Sequence, residues 1–382
     1  MAMLLAGGGS GIGGAGGRKT PASRVGATSD VGRRTLQEDE HCVLQGELAK
    51  RIEKSMQGET SSSSPGEPLR PYTRDALLGV FDGHCTHGGK LQTCASVARE
   101  RLSERVLGCG SVLRWLQGNE VGWRDTGEEE EEGPYASYRC RSHAAMGQVG
   151  NEVEEEVGRC FREVDEAFRE MVAEGAAEES GTTALVVALL GSALLVAHVG
   201  DSRAVLSRGG KAVDLTSDHR PTEEAEEARI RAHGGWVEMD AVNGILSVSR
   251  ALGDWDLFGP EEKENVLVSR PDVSGMCIDE SQDEFLVLAC DGLWDVMTSQ
   301  SAIQFVRAQL LRHNDPERAA AALVQAAIAR VQDGGMGSTD NVTCIVVCLQ
   351  TEGPATPESR YPGSRLPGRT NSRIFKREEA DG

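Results

Sequence analysis

Acidic residues stand where short apolar segments of this sequence begin or end. Asp82 and Asp291 each follow such a segment, Asp340 directly precedes another, and Glu38 and Asp39 lie in an early segment that can open a strand. Short apolar runs predict buried strands, and a strand end holds a carboxylate on a rigid element. Hard cations take oxygen ligands, so a group of aspartates favours Mg²⁺ or Mn²⁺ over Zn²⁺.

Two of these acids, Asp82 and Asp291, are followed by a glycine. A glycine lets the backbone turn sharply after the strand, and its carbonyl oxygen can serve as a cation ligand. Two cations about 3.5–4 Å apart can bind one water, lower its pKa and stabilise a phosphoryl group under in-line attack. Asp-Gly is also a common turn pair. Spacing alone therefore leaves a metal site and a set of ordinary turns equally open.

The elements that must position these acids are short strands joined by tight turns. Gly191-Ser192 is a glycine-first connection of the kind found in β-hairpins, and Gly209-Gly210 supplies a second turn. Such connections predict antiparallel sheet rather than βαβ crossovers. The predicted strands are 77–82, Thr182–Leu190, Ala193–Val199, Ala204–Ser207, Ala212–Leu215, Glu284–Cys290 and Val342–Leu349. Apolar spacing predicts helices over 90–107, 151–173, Thr222–Ala232, Ser299–Leu311 and Pro316–Val331.

The net charge limits the classes of macromolecule that the protein can bind. The formal net charge is -20, from 60 acidic and 40 basic residues. A field of this sign opposes a general attraction to nucleic-acid phosphates, so we predict no nucleic-acid partner. Acidity is compatible with carboxylates that cluster around cations and equally with a surface that only keeps the protein soluble. Composition does not decide between these two interpretations.

Cysteine usage and hydropathy indicate the compartment. The ten cysteines show no regular framework spacing, and several lie inside apolar runs, which is typical of reduced, buried thiols. No run of about 18 apolar residues is present, so we predict no membrane-spanning helix and no membrane partner. The start lacks a signal-peptide pattern. We expect a cytoplasmic or nuclear location, or both.

Composition also divides the chain into segments. Residues 1–27 are rich in glycine and predict a disordered leader, and 351–382 predict a disordered basic tail. Between them we expect one folded region, 28–350, with loop inserts near 57–72 and 108–148. The second insert contains five consecutive glutamates, and runs of like charge favour a solvated segment that can also dock a basic partner. A nuclear address or a docking segment is an alternative for the tail.

Eight motifs follow one another over about residues 28–350. They are Gly32–Asp39, Gly79–His84, Ser180–Ala184, Val199–Ala204, Ser217–Pro221, Ser249–Asp254, Leu288–Val296 and Asp340–Thr343. Together, and in this order, they resemble the motifs of the metal-dependent protein phosphatases of the PPM, or type 2C, family.

The resemblance implies both the fold and the reaction. The expected fold is an α/β (α+β) sandwich: two mainly antiparallel β-sheets packed face to face with helices on both outer faces. The metals would lie at one end, in the cleft between the sheets. The implied reaction is hydrolysis of phosphoserine and phosphothreonine by a water bridged by two Mg²⁺ or Mn²⁺ ions, without a phosphoenzyme.

The resemblance also implies a role for each matching acid. Asp82 would bridge the two ions, and Asp39 would hold a water bound to them. One ion would take Glu38 and the Gly83 carbonyl, and the other would take Asp291 and Asp340. A weaker third ion would be held by Asp201 and Asp295.

Two further residues match the catalytic groups of the family. Arg34 would grip the substrate phosphate, since its planar fork suits a bidentate contact. His84 would be the general acid that protonates the departing oxygen. The family pattern is Asp-Gly-His-Gly-Gly, whereas Cys85-Thr86-His87 separates His84 from the glycine pair here. Displacement of His84, or its replacement by His87 as the acid, are open alternatives.

Two rival functions follow from these observations. A pseudophosphatase would keep the fold and bind a phosphoprotein or a partner without turnover. The intact acids argue against it, and the insertion after His84 leaves it open. The second rival is an enzyme that acts on a small phosphometabolite. For the expected protein phosphatase, the partners are phosphoserine and phosphothreonine proteins, and we expect a monomer.

Overall fold

A computed structural model describes residues 24–51 except 33 and 35, residue 54, residues 74–85, 91–119 and 147, residues 149–258 except 256, and residues 266–332 and 340–350. The main strands are β1 (Arg24–Asp30), β2 (Glu40–Gln45), β3 (Asp75–Phe81), β4 (Gly83–Cys85), β5 (Ser180–Thr182), β6 (Ala184–Leu190), β7 (Ala193–Val199), β8 (Arg203–Arg208), β9 (Lys211–Asp214), β10 (Val237–Glu238), β11 (Ala241–Val242), β12 (Leu252–Gly253), β13 (Asp272–Cys277), β14 (Asp283–Ala289) and β15 (Val342–Cys348). The helices are α1 (Cys94–Gly108), α2 (Gly110–Asn119), α3 (Asn151–Ala173), α4 (Glu224–Ala232), α5 (Asp291–Trp294), α6 (Ser299–His313) and α7 (Pro316–Gln332).

Ten of these strands form two five-stranded sheets. One sheet has the order β1-β15-β14-β8-β9 and the other has the order β13-β7-β6-β3-β2. All neighbouring strands in both sheets are antiparallel. The expectation of mainly antiparallel sheets is confirmed. A small sheet, β12-β5-β4, lies beside the end of β3.

Side-chain alternation explains why the central strands are apolar along their whole length. In β6, Leu185, Val187 and Leu189 belong to the core between the two sheets. Val186 and Ala188 of the same strand pack on the opposite side, in the core beneath α1, α2 and α3. Successive side chains of a strand point to opposite faces, so a strand covered on both faces needs apolar residues at every position.

Helices cover the outer face of each sheet. Helices α1, α2 and α3 pack on the β13-β7-β6-β3-β2 sheet, and α6 and α7 pack on the other sheet. Three apolar layers therefore hold the sandwich together, as the sequence predicted. None of the helices in the described part of the chain is both long and apolar enough to span a bilayer.

Two predicted segment limits were wrong. The strand β1 begins at Arg24, inside the segment 1–27 that was expected to be a leader. The insert predicted over 108–148 opens with helix α2, in which Trp115 and Leu116 are buried in the core. A short helix of this kind is stabilised by the apolar surface that it covers rather than by its own propensity. The predictions for 1–23, 57–72, 120–146 and 351–382 lie outside the described residues.

A small lobe formed by α4, the β10-β11 hairpin and residues 248–255, 257–258 and 266–268 has its own apolar cluster. Glu226 of α4 is only 5% exposed and joins the parts of this lobe. Its carboxylate accepts hydrogen bonds from Arg229, Ser249 and Arg250. Arg250 also donates to Asp272 at the start of β13. Burial alone would raise the pKa of Glu226, but its bonds to Arg250, Arg229 and Ser249 lower that pKa from 4.5 to about 2.

We predict that Glu226→Gln lowers the free energy of unfolding by about 3 kcal/mol, because it leaves two partly buried arginines without the buried carboxylate that they share. A depressed pKa contributes stability that is complete above the unfolded pKa and is lost as the pH falls towards the folded one. The difference in free energy of unfolding between the wild-type protein and Glu226→Gln should therefore be constant down to about pH 4.5 and shrink below it. Urea denaturation of both proteins between pH 7 and pH 4 measures this, and a pH-independent difference would contradict it.

Candidate metal centre

The predicted acids meet at one end of the sandwich. Asp82 directly follows β3, and Asp39 directly precedes the adjacent strand β2. Asp291 begins α5, two residues after β14, and Asp340 stands two residues before β15. These four acids thus come from both sheets, which the sequence alone could not align. Asp201, two residues after β7, contributes from the same end.

Asp39 and Asp82 form the centre of this group. One carboxylate oxygen from each lies within 4.8 Å of the other and of the Cys290 thiol. The Asp39 Oδ2 atom accepts a 2.7 Å hydrogen bond from the Thr343 hydroxyl, and both residues are buried. The backbone of Asp82 is held by Thr183, the residue between β5 and β6, since its amide donates to the hydroxyl of Thr183 and its carbonyl accepts from the Thr183 amide. The two carboxylates are therefore held together by rigid strands.

Crowding of these carboxylates raises their pKa values. The pKa of Asp82 is raised well above 3.8, first by burial and then by the charges of Asp39, Asp291 and Asp201. Burial also raises the pKa of Asp39 to about 6, against the lowering effect of the bond from Thr343. Burial and the nearby Asp291 raise the pKa of Asp201 to about 7. Without a positive charge in their midst, several acids here favour the protonated form.

Arg220 supplies one positive charge at the edge of the group. Its Nη2 atom lies 3.0 Å from Oδ2 of Asp201 and 3.1 Å from Oδ1 of Asp295. Asp201 is buried and Asp295 is exposed, so the arginine links an inner acid to an outer one. The structure thus brings together the two residues predicted for a third ion.

Arg34 lies at the outer rim. It is 49% exposed, its guanidinium bonds to the Asp340 carboxylate, and its Nη1 atom is 4.0 Å from Glu38. The Glu38 amide donates a 2.7 Å hydrogen bond to the Asn341 side chain. A Cβ atom on Gly83 would lie 2.3 Å from the Glu38 carbonyl oxygen, so only glycine allows these two segments to approach. Arg34, Glu38 and Asp340 therefore form one mixed-charge edge beside the acids.

His84 lies on the small sheet, and its Nε2 atom is 2.8 Å from Oδ1 of Asp254. Asp254 is buried and has a positive φ of 58°, a conformation that is uncommon outside glycine and more accessible to Asp and Asn. A Cβ atom on Gly181 would lie 2.1–2.2 Å from both partners of this contact. The His84 ring is thus held by Asp254 over a glycine. The insertion does not remove His84 from the small sheet, whereas His87 lies outside the described residues.

The donor set fits divalent cations. The buried Oδ1 atoms of Asp39 and Asp291 accept no hydrogen bond from any described residue. Buried polar atoms are normally paired, and an unpaired buried carboxylate oxygen is costly. Oxygen-rich groups of this kind suit Mg²⁺ or Mn²⁺.

A second group, His198, His219 and Asp272, also has ligand atoms close together. The two imidazoles stack with ring centroids 4.5 Å apart. The Gly200 amide donates to Nδ1 of His219, so Nε2 carries the proton and faces Asp272 at 3.2 Å. The Nε2 atom of His198 is bonded to the Ser217 carbonyl and must be protonated to donate there. With both Nε2 atoms protonated, these tautomers favour polar contacts among the side chains over a metal site.

Three residues of the site received no role from the sequence. Arg220 and Asp254 both lie inside the matching motifs. The sequence did not predict their partners, because contacts such as that of Asp254 with His84 join residues 170 positions apart. Thr343 is the third, and it follows Asp340 in the last motif. Strand-end acids can be found by pattern, but their supporting groups require the tertiary contacts.

Comparisons with known proteins agree with this geometry. Residues 140–341 match the family model described as protein phosphatase 2C. "Probable protein phosphatase 2C 2" of Oryza sativa subsp. japonica is 36% identical over 341 residues, which is 89% of this chain and 75% of that protein. "Probable protein phosphatase 2C 22" of Arabidopsis thaliana is 34% identical over 339 residues, covering 87% of this chain and 70% of that protein.

A solved structure shares the fold. The crystal structure of serine-threonine phosphatase 2C from Toxoplasma gondii superposes with a TM-score of 0.60 at 22% sequence identity. The match covers 86% of this chain and 96% of that one. At this identity the comparison concerns the arrangement of strands and helices only.

We predict that Asp82→Asn raises the free energy of unfolding of the metal-free protein by about 1–2 kcal/mol at pH 7.5, since it removes one of several crowded charges. A raised carboxyl pKa costs stability as the pH rises from the unfolded value of 3.8 towards the folded values, about 6 for Asp39 and about 7 for Asp201. The increase in the free energy of unfolding that Asp82→Asn causes should therefore be smaller at pH 5 than at pH 7.5. Chemical denaturation in EDTA at both pH values measures it.

Asp283→Asn is the matched control. Asp283 is equally an aspartate of the sandwich and fully buried, but Arg208 donates two hydrogen bonds to it. The same substitution should there lower stability by about 3 kcal/mol. A loss of stability for both variants would contradict the idea that the Asp82 cluster is electrostatically strained.

Proposed function

The chain belongs to the protein phosphatase 2C family, and from that premise we propose that it hydrolyses phosphoserine and phosphothreonine in proteins, with two Mg²⁺ or Mn²⁺ ions. The observation that carries this proposal is the acid group at the sandwich end. Its carboxylates have raised pKa values, and two buried oxygens accept no hydrogen bond from the described residues. The mixed-charge edge with Arg34 and the imidazole of His84 stand beside it.

The acids divide into those that would hold the ions and those that would support them. Glu38, Asp82, the Gly83 carbonyl, Asp291 and Asp340 would hold the two ions, and Asp201 and Asp295 would hold a weaker third. When bound, the ions neutralise the carboxylates, activate water at neutral pH and stabilise charge on the phosphoryl oxygens. Arg220 would offset the charge of Asp201 and Asp295 in the absence of the third ion.

The other residues have roles around the phosphate. Arg34 is exposed and flexible enough to exchange its contact with Asp340 for the phosphoryl oxygens of a substrate, to which it can donate two parallel hydrogen bonds. Asp39 would accept a hydrogen bond from the attacking water and so orient it. The water oxygen bonds to phosphorus as the bond from phosphorus to the serine or threonine oxygen breaks.

His84 would donate a proton to that departing oxygen. Its ring is partly exposed, as a group that meets a substrate must be. Asp254 would act as a positioning residue, because its carboxylate holds one ring nitrogen and thereby fixes the ring orientation. The contact between these two side chains favours catalysis over the pseudophosphatase alternative.

The proposal also covers the substrate class, the cellular location and the oligomeric state. The protein phosphatases among the relatives support phosphoprotein substrates over small phosphometabolites. The described cysteines are free thiols, which supports a reducing location such as the cytoplasm or nucleus. We propose a monomer without a nucleic-acid or membrane partner.

We predict that release of phosphate from a phosphothreonine peptide stops in EDTA and returns when Mg²⁺ or Mn²⁺ is restored. Asp82→Asn and Asp291→Asn should each lower kcat/KM by more than about 100-fold, because each removes a cation ligand. Both variants should remain folded by circular dichroism. Activity of either variant close to wild type would overturn the two-ion assignment.

The same assay separates the rival functions. A folded wild-type protein without activity under any metal condition would indicate a pseudophosphatase. A kcat/KM that favours sugar phosphates over the phosphopeptide by orders of magnitude would indicate a metabolite phosphatase. Preference for the phosphopeptide supports the proposal.

We predict that Asp254→Asn slows hydrolysis only of those substrates whose leaving group needs a general acid. Asn tolerates the positive φ of this position, so the backbone is preserved while the carboxylate is lost. The kcat for a phosphothreonine peptide should fall about 10-fold or more, and that for 4-nitrophenyl phosphate, whose leaving group needs no proton, should change less than about 3-fold.

Two controls test the positioning role. Gly181→Ala inserts a methyl group between His84 and Asp254 and should reproduce the same split between substrates. Asp254→Asn added to His84→Ala should cause little further loss, since residues that act as a unit are not additive. An equal loss on both substrates would mean that Asp254 is only structural.

A further inference from the structure

Two buried cysteines, Cys109 and Cys160, face each other across a helix interface and are not part of the acid cluster. Cys109 lies between α1 and α2, and Cys160 lies in the middle of α3. Their sulfur atoms are 3.0 Å apart, and the residues are 3% and 7% exposed. Both are free thiols. Two thiols this close need little movement to become bonded, since a disulfide requires neighbouring Cβ atoms that point towards each other.

Polar contacts hold the two sides of this interface in register. On one side of the cysteine pair, Arg105 of α1 forms an ion pair with Glu163 of α3. On the other side, the Ser111 amide donates a 2.8 Å hydrogen bond to Glu156. The sulfurs therefore lie between two fixed contacts, and their approach does not depend on a single flexible side chain.

We propose that Cys109 and Cys160 form a reversible intramolecular disulfide when the protein meets a peroxide. The Cys160 thiolate attacks one peroxide oxygen, the O–O bond breaks and a sulfenic acid forms as the first water is released. The Cys109 sulfur then attacks the sulfenic sulfur, an S–S bond forms and the second water departs. Two thiols and one hydrogen peroxide become one disulfide and two waters, and a dithiol reductant restores the thiols.

The surroundings support Cys160 as the sulfur that reacts first. The hydrogen bond from Cys109 lowers the pKa of Cys160, against the effect of burial. The same contact, followed by burial, raises the pKa of Cys109. A thiolate is the nucleophilic form of cysteine, and Cys160 is the more exposed of the two. Cys109 is then the resolving thiol.

The bond would close a long loop. The two cysteines are 51 positions apart, and the segment between them includes α2 and residues 120–146. Closing a long loop stabilises mainly by restricting the unfolded chain. Helix α3 also carries Asp165, which accepts hydrogen bonds from the Gly253 amide and from Trp255 on either side of Asp254. The disulfide would tether α3, the helix that supports the segment around Asp254, whether or not the proposed activity is correct.

Peptide mapping tests the proposal directly. The full-length protein is treated with hydrogen peroxide, remaining thiols are alkylated under denaturing conditions, and the digest is made with trypsin. Cleavage at arginine places Cys109 in peptide 106–114 and Cys160 in peptide 160–162. We expect these two peptides joined with the loss of two hydrogen atoms, and separated again after dithiothreitol.

The variants define the specificity. Cys109→Ser and Cys160→Ser should each abolish the joined peptide. Cys42→Ser is the control, because the Cys42 sulfur lies 3.2 Å from the Ser103 hydroxyl rather than from a second sulfur, and it should leave the joined peptide unchanged. Complete alkylation of Cys109 and Cys160 after peroxide, or their recovery as sulfinic acids or in bonds to other cysteines, would overturn the proposal.

A thermal measurement tests the consequence. Peroxide should raise the melting temperature of the wild-type protein by about 4–7 °C, and dithiothreitol should reverse the rise. The Cys109→Ser and Cys160→Ser proteins should show no rise. An unchanged melting temperature in a protein that does contain the joined peptide would overturn the stabilising role.

Discussion

Repulsion among buried carboxylates at one end of the sandwich is the constraint on which the rest of the site depends. Asp39, Asp82, Asp201 and Asp291 would each be ionised in water at neutral pH, yet burial and mutual proximity raise their pKa values. Among the described residues, Arg220 and Arg34 bring positive charge to the edge of this group. A place that is unfavourable for free carboxylates is favourable for divalent cations, which is why we propose that this end of the fold is the functional one.

Such an arrangement needs a rigid support, because like charges move apart wherever the backbone permits. The two sheets supply that support through an apolar layer between them and a helix-covered layer on each outer face. Strands of both sheets end at the same place, so each sheet contributes acids to the cluster. The hydrogen bonds between the Asp82 backbone and Thr183, and the bond that the Thr343 hydroxyl donates to Asp39, fix the central acids further. Packing energy far from the site thus maintains the unfavourable charge density within it.

The residues around the cluster differ in how firmly they are held. Asp254 is buried, has a left-handed backbone and holds His84 beside Gly181. Arg34 is half exposed, and its guanidinium contacts acids at the rim. This gradient from rigid centre to adaptable rim suits a site in which a phosphate must enter and leave. Helix α3 supports the segment around Asp254 through Asp165 and, five residues earlier in the same helix, faces Cys109 through Cys160.

The sequence by itself predicted most of the strands and helices, since apolar periodicity is a local property, and its ordered motifs carried the family resemblance that implied the class of fold and the acids. It also predicted a solvated segment where α2 lies, because the composition of 110–119 does not reveal the surface that buries Trp115. Only the tertiary structure decided the pairing of Arg220 with Asp201 and Asp295, the contact of Asp254 with His84 and that of Cys109 with Cys160. These partners are 51 to 170 positions apart or meet across separate elements. Such contacts depend on how whole elements pack, which no local pattern encodes.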